Sequence, residues 1–207
     1  MMDSIYLKKG NFKIKNSKKL YTLIESGKFK GKKILLPSFD TTRSTKSIVK
    51  ACVFNVLRDI LREKIFIEVF GGSALMAAEA LSNEALKAYA IELDNKAYQI
   101  ALQNAKNISN EMIILQGDSF KILPRLVCDL NKEELILYFD PPFNIRDGFD
   151  GIYEKVYKLI ENLNDLNIIY IVIEHYSLIK TPQNLGIFDL RKVKKFGSTS
   201  LSFYQKN

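Results

Sequence analysis

From residue 65 onward the chain alternates short apolar runs with stretches of helical period, and few architectures accept that alternation. Apolar runs at 65–69, 88–92, 111–115, 135–139 and 168–173 are strand-length and predict five strands. The segments between them predict helices at 74–84, 95–107, 119–128 and 149–163. Strands that are apolar on both sides and separated by helices form a parallel sheet with helices on both faces. Two more strands, about 186–193 and 199–205, are joined by Phe196-Gly197-Ser198 and predict an antiparallel pair at the sheet edge. The expected fold class is therefore α/β, with a seven-stranded, mostly parallel sheet. A helix is expected at 44–62, where Val49, Val53, Leu57 and Ile60 recur at helical spacing, with Ser44 or Thr45 as its cap.

Ligands of open parallel sheets bind outside the carboxyl ends of the strands, so the residues just after each run are the candidate site. The run Leu135 to Phe139 stops at Asp140-Pro141-Pro142-Phe143. The prolines end the strand because neither can donate to a ladder. The tetrapeptide offers a carboxylate, two carbonyls and an aromatic face, which suits an exocyclic amine on a planar ring. Asp140 and the Pro141 carbonyl can accept the two amine hydrogens while Phe143 stacks on the ring, a contact of about 1–3 kcal/mol per base. Two acceptors favour a more tetrahedral nitrogen and free its lone pair to attack.

The earlier tips are consistent with a nucleoside. Glu68 and Phe70-Gly71-Gly72-Ser73 close the first strand, and the glycines allow close backbone approach. The loop has neither the Gly-x-x-x-x-Gly-Lys of a P-loop nor a full Gly-x-Gly-x-x-Gly. Glu92-Leu93-Asp94 follows about 20 residues later, where an acid can take a ribose diol. Asp118-Ser119 ends the third strand, and Asp118 can accept from an adenine amine. Asp94 and Asp118 also read as helix N-caps.

The formal net charge is +8, and much of it precedes residue 51: thirteen lysines and arginines there face only Asp3, Glu25 and Asp40. Residues 1–43 read as a basic β-ribbon extension to a domain at 44–207. Phe12 to Lys15 alternates as a strand does, and a second short strand follows Gly27 to Lys33. Lys28, Lys30, Lys32 and Lys33 make that ribbon a candidate surface for a polyanion. Arg43, Lys46 and Lys50 cluster at the start of the first helix, where cations oppose the macrodipole and call for an anionic partner. Cys52 and Cys128 lack metal spacing and read as small buried hydrophobes. His175, the single histidine, follows an apolar run and reads as a strand-end residue. No apolar run reaches the length of a membrane span, and the start lacks a signal-peptide pattern. No metal and no membrane are expected, and cytoplasmic residence is.

Assembled, these residues resemble a class I S-adenosylmethionine-dependent methyltransferase, with a Rossmann-like fold. More closely, the chain resembles the bacterial small-subunit (16S) ribosomal RNA guanine-N2 methyltransferase family. Gly27-Lys28-Phe29-Lys30-Gly31-Lys32-Lys33-Ile34 is similar to that family's Gly-x-aromatic-basic-Gly opening. Arg43-Ser44-Thr45, Val49-Lys50 and Phe54-Asn55-x-Leu57 keep its spacing, as do Phe70-x-Gly72-Ser73 and the closing Phe203-Tyr204-Gln205. Ala74 and Ala77 stand where the family has glycine, Ser44 where it has proline, and Ala51 where it has glutamate. An alanine at 74 is costly if that position needs a positive φ.

The resemblance implies methyl transfer from S-adenosylmethionine to a guanine N2 amine in 16S rRNA or the small ribosomal subunit. It implies Asp140, Pro141, Pro142 and Phe143 as the catalytic set. Glu68, Phe70 to Ser73, Glu92, Leu93, Asp118 and Ser119 would hold the cofactor. Arg43, Thr45, Lys50, Asn55 and the ribbon lysines would meet RNA. Three other readings stay open: a DNA adenine-N6 methyltransferase, a protein glutamine-N5 methyltransferase, and a non-catalytic RNA-binding or ribosome assembly factor on the same fold.

Overall fold

The computed structural model describes residues 20–37, 47–142, 151–163 and 167–207. Two short strands, β1 (Leu20–Leu23) and β2 (Lys33–Leu36), form an antiparallel hairpin. Helix α1 (Ser47–Leu57) follows. Then come β3 (Ile65–Glu68), α2 (Leu75–Ser82), β4 (Lys87–Glu92), α3 (Asn95–Ile108), β5 (Met112–Gln116), α4 (Ser119–Asp129), β6 (Leu135–Phe139), α5 (Ile152–Glu161) and β7 (Ile168–Tyr176). The chain closes with β8 (Asn184–Leu185), β9 (Phe188–Phe196) and β10 (Thr199–Lys206).

The main sheet has the order β5-β4-β3-β6-β7-β10-β9-β8. The first five strands are parallel, and the last three run antiparallel to their neighbours. The sheet thus has eight strands, not the expected seven. The extra strand, β8, is two residues long, and Gly186 turns it back on β9 at φ +60°. Such a strand is too short for a periodic pattern to reveal. β10 lies between β7 and β9, and its pairing extends β7 through Tyr176, beyond the expected end at residue 173.

Alternate side chains of the strands enter two cores. Phe66, Ile136, Tyr138, Val172, Leu201 and Phe203 face α1, α2 and α3. Ile65, Ile67, Leu137, Phe139 and Ile173 face α4 and α5. The described part of the N-terminal ribbon shares the first core through Ile24 and Ile34. Its loop is tied to the end of α2: the Lys28 N–H donates to the Ser82 carbonyl and the Phe29 N–H to Ser82 Oγ, each at 2.9 Å. Gly27 explains why the family-like motif opens on glycine. Its φ is +77°, and a Cβ there would lie 1.8 Å from the Ser82 carbonyl oxygen.

Cys52 is half-buried and Cys128 exposed, so neither is the fully buried hydrophobe expected. Cys128 lies on α4, whose buried residues are Ser119, Leu123 and Val127.

Candidate active site

The strand order reverses between β3 and β6, where β4 continues to one side and β7 to the other. That is the switch point at which open α/β sheets bind ligands. The tips of β3, β4, β5 and β6 bring together the loop Phe70 to Ser73, Glu92, Asp118 and Asp140.

The loop after β3 is held from below. The Gly71 N–H donates to the Ile91 carbonyl at 2.7 Å and the Ala74 N–H to the Gly71 carbonyl at 2.6 Å. Gly72 has φ +52°. A Cβ on Gly71 would meet the Ile91 carbonyl oxygen at 3.1 Å, so β4 leaves no room beneath the loop. Ala74 sits at φ +59°, the left-handed region in which a Cβ costs about 1–2 kcal/mol. The chain therefore carries alanine at a position that favours glycine and still makes the turn.

Glu92 reaches across to this loop. Its Oε2 accepts from the Gly72 N–H and its Oε1 from the Asp94 N–H, both at 2.6 Å. Burial raises its pKa above the usual carboxylate value, and the two N–H donors oppose that rise. Each oxygen keeps a second acceptor direction, so the carboxylate can also take the two hydroxyls of a diol. Leu93 beside it is 68% exposed and offers an apolar surface. Asp94 and Asp118 cap their helices as expected: Asp94 Oδ1 accepts from the Ala97 N–H at 2.8 Å, and Asp118 Oδ1 from the Phe120 N–H at 3.0 Å.

Two expected cofactor residues are committed elsewhere. Glu68 is 5% exposed and lies under the loop, where its Oε2 accepts from the Ala77 N–H at 2.9 Å. It satisfies the open N-terminus of α2 and has no exposed face to offer a ligand. Burial pushes its pKa to about 8. The proton bound on folding stabilises the native state below the ordinary carboxylate pKa, and that contribution fades as pH rises toward 8. Glu68→Gln is therefore expected to gain thermal stability relative to the parent between pH 5 and pH 8. The difference in melting temperature at the two pH values measures it, and an unchanged difference would contradict the shift. Ser119 is also buried, and its Oγ donates to the Val69 carbonyl at 2.5 Å, binding α4 to the tip of β3.

Asp140 is half-exposed, Pro141 buried and Pro142 half-buried. Beneath Asp140 lies a polar group not anticipated from sequence. The Tyr138 hydroxyl donates to Glu174 Oε2 at 2.6 Å, both residues being buried. The Tyr153 hydroxyl accepts from the Tyr176 N–H at 3.3 Å. The Tyr153 pKa is pushed up to about 12, first by burial and then by Asp140 and Glu174. Both phenols stay protonated, so the negative charge of this corner rests on carboxylates. Phe143, Arg43 and Thr45 lie outside the described residues.

Lys50 is not the surface cation expected. It is 1% exposed and pairs with Glu25 Oε1 at 3.0 Å and Glu79 Oε1 at 3.2 Å. The anion it answers is internal, which removes it from the RNA-facing set. Lys28, Lys30, Lys32 and Lys33 are exposed, and Lys28 and Lys32 lie 5.0 and 4.7 Å from the centre of the Phe29 ring. Asn55 is exposed on α1, its Oδ1 accepting from Arg58 at 3.1 Å. His175 is buried. Its Nδ1 lies 3.0 Å from the Tyr176 carbonyl and must donate to it, so Nε2 accepts from Ser202 Oγ at 2.9 Å. Burial lowers its pKa, and it is a structural residue of the strand end.

Asn104 was also missed. Its Nδ2 donates to the carbonyls of Ser73 and Leu35, and its Oδ1 accepts from the Leu35 N–H, all at 2.9 Å. It clamps the β3 loop to the N-terminal hairpin. The available signal was an asparagine among Ala97, Ala101, Ala105 and Ile108 on the buried stripe of α3. Asn104→Ala orphans three backbone groups and is expected to cost about 2–4 kcal/mol. It should also weaken nucleoside binding at the loop about tenfold. Chemical denaturation and a ligand titration on the variant check both effects.

The profile of the family described as conserved hypothetical protein 95 matches residues 22–205. The chain belongs to that family. Among curated relatives, it is 28% identical to the ribosomal RNA small subunit methyltransferase D of Buchnera aphidicola subsp. Acyrthosiphon pisum, over 84% of this chain and 87% of the other. It is 26% identical to the protein of that name from Escherichia coli K12, over 88% and 89%. The solved structure of the putative methyltransferase yhhF from Escherichia coli superposes with a TM-score of 0.73 at 24% identity, covering 90% of this chain and 98% of that one. SMU.776, a putative methyltransferase solved with S-adenosylhomocysteine, superposes at 0.68 and 12% identity, covering 97% and 58%. The fold is thus the Rossmann-like methyltransferase fold.

Proposed function

We propose that the protein transfers a methyl group from S-adenosylmethionine to the exocyclic N2 amine of a guanine in small-subunit ribosomal RNA. The observation that carries the reading is the placement of Asp140 and Pro141 at the switch point, across from the loop that Glu92 holds. S-adenosylmethionine supplies an electrophilic methyl on a sulfonium. The chain fits that cofactor: Glu92 has acceptor directions left for the ribose, Leu93 offers an apolar surface to the adenine, and the Gly71-Gly72 turn lets backbone approach the methionine part. Glu68 and Ser119 serve the same site indirectly, by fixing α2 and α4 behind it.

Asp140 and the Pro141 carbonyl hold the two amine hydrogens, which turns the nitrogen lone pair toward the methyl. Phe143, next in the tetrapeptide, is assigned to stacking on the base, which must be out of its helix for its amine to meet Asp140 and the Pro141 carbonyl. The methylated amine loses its surplus proton to Asp140 or water. Most of the acceleration then comes from positioning, since no strong base is needed in the transition state. Small-subunit rRNA is favoured over DNA or protein by the named activity of the curated relatives and by the exposed lysines of the hairpin.

Titration calorimetry with S-adenosylmethionine and transfer of labelled methyl to small ribosomal subunits test the reading together. Micromolar cofactor binding with label in the RNA supports it. Label only in DNA or protein would redirect it, and no cofactor binding at millimolar concentration would leave a binding factor on a methyltransferase fold.

A further inference from the structure

Away from the strand tips, a groove of about 590 Å³ separates α1 from β9. One wall is a single face of α1, with Cys52, Asn55 and Val56 at helical spacing. The other is a single face of β9, where Lys192, Lys194 and Phe196 alternate at period two.

The sheet register places the groove relative to the catalytic corner. Phe196 pairs with Thr199, which pairs with Tyr176, the last residue of β7. Lys192 pairs with Phe203, which pairs with Val172, deeper in the sheet. The groove therefore starts at the same carboxyl-end rim of the sheet as Asp140, three strands from β6, and runs inward for four residues, about 13 Å. That is about the length of three to four stacked nucleotides. Among the described residues, β9 has no strand partner on its outer side from Arg191 to Phe196, because β8 pairs only with Phe188 and Asp189.

Lysines on an edge strand are often only a guard against sheet-to-sheet pairing. That role does not require two of them to line an open groove beside an aromatic ring. A row of two cations, an aromatic at the rim and an amide side chain opposite is the chemistry of a single-stranded nucleic-acid track.

We propose that this groove binds a single-stranded segment of the RNA substrate flanking the target nucleotide, with its phosphates on Lys192 and Lys194 and a base against Phe196. The inference rests on the RNA methyltransferase reading above. It assigns a substrate track on the flank of α1 formed by β9, separate from the lysines of the N-terminal hairpin.

The test compares the parent protein with Lys192→Gln/Lys194→Gln and Lys192→Arg/Lys194→Arg, using undermethylated small ribosomal subunits and the naked 16S rRNA extracted from them. The glutamine variant is expected to raise KM for both RNAs about tenfold or more, with kcat and cofactor affinity within about twofold. Its log–log salt dependence of RNA binding should flatten by about 1 to 1.5. The arginine variant should behave as the parent. Ile48→Glu, which places an acid on the exposed groove wall of α1, should raise KM several-fold while leaving the melting temperature in place.

An unchanged KM and salt slope in the glutamine variant, with the parent methylating RNA normally, would overturn the groove and leave the function standing. A KM effect on assembled subunits alone would mean that the groove meets a ribosomal protein, which also overturns it. A parent protein that methylates no RNA would remove the reading itself, and the groove with it.

Discussion

Asp140→Ala is expected to lower turnover about 10²–10³-fold, the scale on which loss of one preorganised polar contact at a reacting centre is felt. In the proposed mechanism the carboxylate has two tasks at once. It fixes the direction of the amine lone pair, and it counters the positive charge that develops on nitrogen as the new bond forms. Alanine removes both, while the Pro141 carbonyl still marks the place of the amine. The residues proposed to hold the cofactor, Glu92 and the Gly71-Gly72 loop, follow other strands, so S-adenosylmethionine affinity should stay within about twofold. Asp140→Asn keeps one acceptor and loses the charge, and should fall between the two. Single-turnover transfer at saturating cofactor separates chemistry from binding. Near-parent turnover in the alanine variant would remove Asp140 from the reaction.

The second large effect concerns stability. Lys50→Ala leaves Glu79 buried without its cation, a change that costs about 3–5 kcal/mol. For a chain of this size that is a fall in melting temperature of roughly 6–20 °C. Glu79 is 1% exposed, and its Oε2 has no hydrogen-bond partner in the described structure, so the site has no spare compensation. The pair also joins three elements: Lys50 lies on α1, Glu79 on α2, and the Glu25 N–H donates to Glu79 Oε1 at 2.9 Å from the end of the hairpin. Lys50→Met/Glu79→Gln removes both charges yet keeps an acceptor for the Glu25 N–H. It should recover more than half of the loss, and failure to do so would show that packing of the lysine stem, not charge, holds the junction.

These two residues mark what was and was not legible in the sequence. Asp140 was legible because its signal is local: an apolar run cut by two prolines at a strand tip. The same holds for Glu92, the Gly71-Gly72 loop and the caps at Asp94 and Asp118. Lys50 gave a sound local signal, a cation near a helix start with nothing nearby to answer it. Its partners are Glu25 and Glu79, 25 and 29 residues away, and no periodicity announces a contact of that kind. Asn104, and the Tyr138–Glu174 pair under Asp140, were missed for the same reason. Each is a polar residue inside an apolar stripe whose partner comes from another element.

The strand boundaries fail in an instructive place. The strand expected to end at about residue 193 continues through Lys194, Lys195 and Phe196 of β9, where the sequence reads as charged and turning. An edge strand needs only one bonded neighbour, here β10, and its side chains can face water on both sides. Strands between two neighbours and two helical layers, such as β6, leave a continuous apolar run and were bounded correctly at Leu135 and Phe139.

The central claim is the identity of the methylated atom. Small ribosomal subunits from cells lacking the modification, incubated with the protein and labelled S-adenosylmethionine and then digested to nucleosides, give the most direct answer. The account predicts label in N2-methylguanosine, at a single guanine of the small-subunit RNA. Label in any other nucleoside, or in ribosomal protein, would contradict it.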